Sequence, residues 1–223
     1  MKYKAVIFDF DNTISQTKKA QAELMFMTLK SFLSEDVSLE LDLLKKKYLE
    51  KRTAKETLLF YSQSFDLDYD KVLDCFYSNF SKVEFDSREG FWKFFNYLKR
   101  QGSDVKLLLV TNRLEMLDER LSECGLSKSD FDFWIQATSE QEQKPSGFMM
   151  QKALEFVRQY GIEADEVLSI GDNVVDFQSS KLVGFCFVGL LGGSSLLSDF
   201  NRAGLDSDLI FENLVDIYFS FRS

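Results

Sequence analysis

Two hydrophobic rhythms alternate along this chain of 223 residues. Short runs rich in β-branched and aromatic residues read as strands: Tyr3 to Phe8, Val105 to Val110, Phe133 to Gln136, Val167 to Ile170, Gly184 to Val188 and Leu209 to Phe211. Between them, apolar positions recur at helical spacing in Arg88 to Arg100, Arg113 to Cys124, Pro145 to Tyr160, Val174 to Lys181 and Leu196 to Ala203. Continuous apolar strands, each followed by a helix, predict an α/β fold with a parallel sheet covered on both faces. Residues 15–86 break the rhythm. They show no strand pattern and read as about four helices, with turns near Glu35–Val37, Glu50–Thr53 and Asp66–Asp70. The expected organisation is an α/β core of residues 1–14 and 87–223 with a helical subdomain, 15–86, inserted after the first strand.

Composition narrows the chemistry. The chain has no histidine, which excludes Ser-His-Asp and Cys-His catalysis and any His-ligated metal, so acid–base work falls to carboxylates, Lys, Tyr or Cys. Its 27 Lys and Arg against 36 Asp and Glu give a net charge of -9, which argues against a nucleic acid partner, because phosphate-backbone binding needs a large basic face. Cys75, Cys124 and Cys186 are isolated and odd in number, so no disulfide framework is expected, and they read as packing residues. No apolar run approaches the ~20 residues of a membrane span. The expectation is a cytoplasmic protein without a membrane partner, as monomer or homodimer. The helically spaced Phe91, Phe94 and Phe95 read as core.

In four places polar residues interrupt apolar ground. In VIFDFDNT, Asp9 and Asp11 close the first strand two residues apart, and such a like-charged pair raises a pKa or needs a cation. A polar turn is the simpler account, with Asn12 tolerating a left-handed conformation. In LLLVTNR, Thr111 and Asn112 end a strand; Asn112 with Glu115 reads as a capping box, or else the Thr111 hydroxyl and the helix-start N–H groups bind an anion. In QKPSG, Pro145 reads as a first helical residue, which puts Lys144 at the N-cap, where the helix dipole disfavours a cation unless an anion lies between. In VLSIGDNVVDF, Asp172 follows a strand and Asp176 lies four residues on, one helical turn away. An N-cap and a first-turn acid account for one of these carboxylates better than for both. The later GLLGGSS does not match a dinucleotide-binding pattern and reads as a loop.

Each of the four lies at a strand's carboxyl end, and in a parallel sheet those ends share one edge. Together they offer hard oxygen ligands suited to Mg2+, and a Lys, a hydroxyl and N–H groups suited to phosphate. The ordered set DxDxT, Thr-Asn, Lys-Pro and GDxxxD resembles the haloacid dehalogenase superfamily, in its phosphoglycolate phosphatase and β-phosphoglucomutase branch. The resemblance spans nearly the whole chain. It implies a Rossmann-like core with an inserted α-helical cap. It departs from the commoner DxDGT in having Asn12 for Gly.

The resemblance implies a Mg2+-dependent phosphatase for a small phosphorylated metabolite. Asp9 would attack phosphorus and form an aspartyl-phosphate, and Asp11 would serve as acid and then base. Asp9, the Asp11 carbonyl and Asp172 would hold Mg2+, with Asp176 supporting them. Thr111, Asn112 and Lys144 would bind the phosphoryl oxygens. Substrate choice would lie in the cap, where Lys51, Arg52 and Lys55 form its most basic turn; a merely solvated turn is the alternative. A sugar phosphomutase would use the same residues, and a non-catalytic phosphate sensor is the reading from another class. A dehalogenase is disfavoured because that branch lacks the second Asp that Asp11 supplies.

Overall fold

Six strands, β1 (Ala5–Phe8), β2 (Lys106–Thr111), β3 (Phe133–Gln136), β4 (Val167–Gly171), β5 (Cys186–Leu190) and β6 (Ile210–Phe211), pair in the order β3-β2-β1-β4-β5-β6, all parallel. The computed structural model describes residues 2–34, 37–51 and 53–220, with the side chains of 49–51, 103 and 220 outside that description. The chain divides into two compact units, one of Met1–Gln16 with Asp86–Ser223 and one of Thr17–Phe85.

In the first unit β1 lies at the centre of the sheet. Phe8 is level with Leu109 of β2 and with Ile170 of β4. The residues after these strands therefore emerge side by side at one edge. All four residues of β1 are buried, which explains its unbroken apolar pattern. Ala5 and Ile7 pack with Met149, Met150, Ala153 and Val157 of α7 (Phe148–Arg158). Phe8 takes the other face and meets Phe91, Phe94 and Phe95 of α5 (Phe91–Lys99), with ring centroids at 5.9, 6.1 and 6.1 Å. The remaining helices are α6 (Leu117–Glu123), α8 (Val174–Val183), α9 (Leu197–Ala203) and α10 (Leu214–Ser220).

Three helices begin later than their hydrophobic pattern predicts. Gly90, with φ of 80°, starts α5 at Phe91 rather than Arg88. Met116, with φ of 57°, starts α6 at Leu117, so Asn112 and Glu115 form no capping box there. Gly147 is the N-cap of α7, so Pro145 is not a first helical residue and Lys144 is not an N-cap. Helix α10 escaped the pattern because it is short and, among its described side chains, buries fully only Leu214 and Ile217.

The second unit holds α1 (Thr17–Phe32), α2 (Leu41–Lys51), α3 (Ala54–Ser64) and α4 (Tyr69–Phe80), around a core that includes Met25, Leu29, Leu44, Leu58, Val72 and Phe76. Thr53 caps α3 by accepting from Glu56 N, and Asp68 caps α4 by accepting from Lys71 N. Among the described residues no helix is long and apolar enough to cross a membrane. Among the described residues no disulfide joins the three cysteines, and burial first of all pushes the Cys124 thiol up to about 12, as suits a packing residue.

Phe8 anchors the strand that delivers Asp9. Phe8→Ala is expected to destabilise the protein by about 3–5 kcal/mol, the usual cost of emptying a buried aromatic site. Urea unfolding measures it, and a loss under about 1 kcal/mol would show that the surrounding rings do not depend on Phe8.

Candidate active site

The chain turns sharply at the end of β1. The N–H groups of Thr13, Ile14 and Ser15 all donate to the Phe10 carbonyl, and Asp9 N still donates to Ile170 O at 3.0 Å, so strand pairing persists through Asp9. Asn12 adopts φ of 60°, the left-handed conformation that Asn tolerates better than most residues. This turn lets Asp9 and Asp11 both line the same cavity of about 100 Å³. The other walls come from Thr111 and Asn112 at the end of β2, Lys144 after β3, and Asp172, Asn173, Val175, Asp176 and Ser194 beyond β4 and β5. The four polar interruptions of the sequence thus converge.

Lys144 lies at the centre, only 4% exposed. Its ammonium donates to Asp9 Oδ1 at 2.8 Å and to the Val110 carbonyl at 2.9 Å, and pairs with Asp176 Oδ1 at 2.5 Å. These three acceptors match the three protons of an ammonium. Burial alone would lower its pKa, but Asp176 and Asp9 outweigh burial and hold it raised. Asp9 is held well above the usual carboxylate range, first by burial and then by Asp176, Asp172 and Asp11, with Lys144 opposing. Burial, reinforced by Asp176, pushes Asp172 up to about 6.

One carboxylate oxygen each from Asp9, Asp172 and Asp176 lies within 4.8 Å of the others. The Asp11 carboxylate is not in this set. It pairs with Arg113 Nη2 at 2.5 Å, and the Arg113 guanidinium sits over the Phe10 ring. Asp176, which the resemblance placed in support of the metal, is one of the three. Four carboxylates against the two cations Lys144 and Arg113 leave two negative charges, which a divalent ion balances. With only hard oxygen donors, the set suits Mg2+.

The Asn112 side chain does not face a ligand. Its Oδ1 accepts from Lys144 N at 2.7 Å and its Nδ2 donates to Lys144 O at 3.0 Å, clamping the loop that carries the lysine. Thr111 Oγ1 accepts from Arg113 N, so the hydroxyl proton points elsewhere and is available to an acceptor. Asn173, not Asp172, caps α8, and Asp176 accepts from Asn173 N at 3.0 Å. Ser194 N donates to Asp172 Oδ2 at 2.5 Å. A Cβ on Gly193 would overlap the Asp172 carboxyl group, and one on Gly171 would overlap that of Asp176, so both approaches require glycine. Arg113, Asn173 and Ser194 were not singled out in the sequence. Arg113 adjoins the Thr-Asn pair and Ser194 ends the Gly-rich run, which were the signals available.

The basic turn of residues 50–57 belongs to the second unit. Lys55 is exposed in the first turn of α3, Lys51 ends α2 with its side chain outside the described set, and Arg52 lies outside the described residues.

Asp172 binds its proton more tightly folded than unfolded. It therefore contributes stability below about pH 4 that is lost as the pH rises to about 6, some 3 kcal/mol in all. In chelator, Asp172→Asn is expected to lose about 3 kcal/mol less than the parent between about pH 4 and about pH 7. Urea unfolding at both pH values tests this, and equal losses in the two proteins would remove Asp172 as the source.

The family model for haloacid dehalogenase-like hydrolases matches residues 6–190. None of the curated proteins matches the chain in sequence. Among solved structures, the chain is similar to a haloacid dehalogenase superfamily hydrolase of subfamily IA, variant 1, from Geobacter sulfurreducens, with 23% identity, a TM-score of 0.68 and coverage of 98% of this chain and 96% of the other. It is similar also to a hydrolase of this family from Deinococcus radiodurans with bound phosphate and sodium (18%, TM-score 0.78, coverage 99% and 95%). A third is CbbY from Rhodobacter sphaeroides in complex with xylulose 1,5-bisphosphate (18%, TM-score 0.61, coverage 96% and 96%). With the match running from β1 to the end of β5, through all four site segments, the chain belongs to the haloacid dehalogenase-like hydrolases.

Proposed function

We propose that the protein is a Mg2+-dependent phosphatase that hydrolyses a small phosphorylated metabolite through an aspartyl-phosphate on Asp9. The observation that carries this reading is the contrast between two carboxylates two residues apart. Asp9 is buried beside Lys144 and belongs to the three-carboxylate set, while Asp11 turns away to Arg113. Such a split gives one carboxylate to attack and another to move protons. The bound phosphate of the Deinococcus structure and the sugar bisphosphate of the CbbY structure support a phosphorylated substrate.

Asp9, Asp172 and Asp176, with the Asp11 carbonyl, would hold Mg2+, which when bound supplies positive charge against the phosphoryl oxygens. A carboxylate oxygen of Asp9 attacks phosphorus as the bond to the leaving oxygen breaks, and Asp11 gives that oxygen its proton. Asp11, now a carboxylate, takes a proton from water, whose oxygen attacks phosphorus and releases phosphate and free Asp9. The Lys144 ammonium, the Thr111 hydroxyl and the Asn112 N–H hold the phosphoryl oxygens. Arg113 keeps the Asp11 carboxyl group out of the metal set and on the side of the leaving group. In the inserted helical unit, Lys51, Arg52 and Lys55 contact the distal part of the substrate.

Turnover of p-nitrophenyl phosphate and a panel of phosphorylated metabolites, with Mg2+ and with chelator, is the test. Hydrolysis that requires Mg2+ is expected; a panel with no phosphate release, or full activity in chelator, would overturn the reading. A hexose 1-phosphate converted to its 6-phosphate without phosphate release would mark a mutase instead. Asp9→Asn should fall below about 1% of the parent rate with its fold intact, because an amide does not attack phosphorus. Lys55→Ala should raise KM for the metabolite found more than for p-nitrophenyl phosphate, which carries no distal anion. An equal effect on both would leave Lys55 a solvated residue.

A further inference from the structure

Arg88 stands where the chain re-enters the α/β unit, and its main chain is laced to the loop that follows Asp9. Arg88 N donates to Ile14 O at 2.6 Å, Gln16 N donates to Asp86 O at 2.8 Å, and Ser15 and Ser87 form an isolated antiparallel bridge. The side chain reaches further. Nη1 donates to the Asn12 carbonyl, and Nη2 donates to the carbonyls of Leu191 and Glu212, the last at 2.9 Å. One half-buried guanidinium thus joins three segments, after β1, after β5 and after β6. Its hydrogen-bond partners are all main-chain carbonyls.

Two of these segments are the ones that hold Asp172. Asn12 Nδ2 donates to Asp172 Oδ2 at 3.4 Å. From the loop after β5, Ser194 N donates to the same oxygen at 2.5 Å, and Ser195 N donates to the Asp172 carbonyl at 3.1 Å. Gly193 packs too close to Asp172 for any side chain. Asp172 therefore sits between two loops, each tied at a carbonyl to Arg88. Arg88 is not in the cavity lining, and its charge acts on Asp172 from outside it. Only a planar fork with donors on two nitrogens spans three carbonyls in this way; a lysine ammonium has one nitrogen.

We propose that Arg88 is a positioning residue for the divalent-cation site: by clamping the Asn12 and Leu191 carbonyls it holds the two loops that aim Asp172. The metal half of this proposal rests on the reading of the site as a Mg2+ site; the loop half does not. Losing an outer partner of this kind typically weakens metal binding about 10- to 100-fold.

The experiment compares the parent protein, Arg88→Gln and Arg88→Lys. Amide hydrogen exchange, in chelator, follows Ser194 and Thr13 against Val6 and Leu168 in the strands. Thermal shift then follows Mg2+ titration of the same proteins without substrate. In Arg88→Gln, the Ser194 and Thr13 amides should exchange at least about 10-fold faster with the strands unchanged, and the Mg2+ midpoint should rise about 10- to 100-fold. At saturating Mg2+, KM should stay near the parent value, and millimolar methylguanidinium should restore part of the lost protection. Arg88→Lys should fall between, and it carries the same measurements if the Gln variant does not fold. Parent-like exchange at Ser194 and Thr13 would overturn the clamp. Altered exchange with a parent-like Mg2+ midpoint would overturn its role toward the metal. A parent protein with no Mg2+ response would refute the metal reading and with it the metal half of the proposal, leaving the exchange data to judge the loops.

Discussion

The site depends on one buried ammonium. Lys144 sits where Asp9, Asp176 and the end of β2 meet, and it spends a proton on each. Without it, three carboxylates would share a space from which water is largely excluded, and such a group is stable only when neutralised. Asn112 is committed to keeping this lysine in place, holding its main chain at both N–H and carbonyl. The ammonium engages one oxygen each of Asp9 and Asp176, while the other Asp176 oxygen accepts from Asn173 N and Asp172 is held by Ser194 N instead. The site is a balance in which the resident cation is insufficient, and that shortfall gives it affinity for a divalent ion.

The sheet supplies the geometry for this balance. Because β1 pairs side by side with β2 and β4, Asp9, Thr111 and Asp172 emerge at one edge and line one cavity although far apart in sequence. The buried apolar strands are rigid, so polar groups mounted on their ends keep their separations. The loops need only orient what the strands have already placed. They do so with main-chain contacts, through Ser194, Gly193 and Arg88, more than with side-chain pairs.

The sequence made the strands legible, because buried parallel strands are unbroken apolar runs, and it made visible the polar residues that end them. Asp9, Thr111 and Asp172 stood out for that reason, whereas Lys144 stood out as an unfavourable N-cap before Pro145, a position that Gly147 holds instead. Helix starts were less legible. The expected cap at Asn112 failed because the same side chain has a tertiary use, holding the Lys144 loop, and propensity yields to such contacts. Arg113, Ser194 and Arg88 were not legible as site residues. The side chain of Arg113 meets a residue 102 positions away and that of Arg88 reaches across 124, and neither distance leaves a local pattern. Asn12 was readable in its conformation but not in its contacts.

The spread of the site along the chain also orders its assembly. Asp9 is synthesised before Lys144, Asp172 and Ser194, which lie 135 or more residues further along. Until then Asp9 and Asp11 remain hydrated and cheap to expose, because nothing has yet withdrawn them from water. Pairing of β1 with β4 closes a loop of more than 150 residues, a step whose entropy places it late in folding. The strands can therefore collapse on their apolar residues without having to bury unmatched charge. An edge built from groups this far apart closes only when both signs are present.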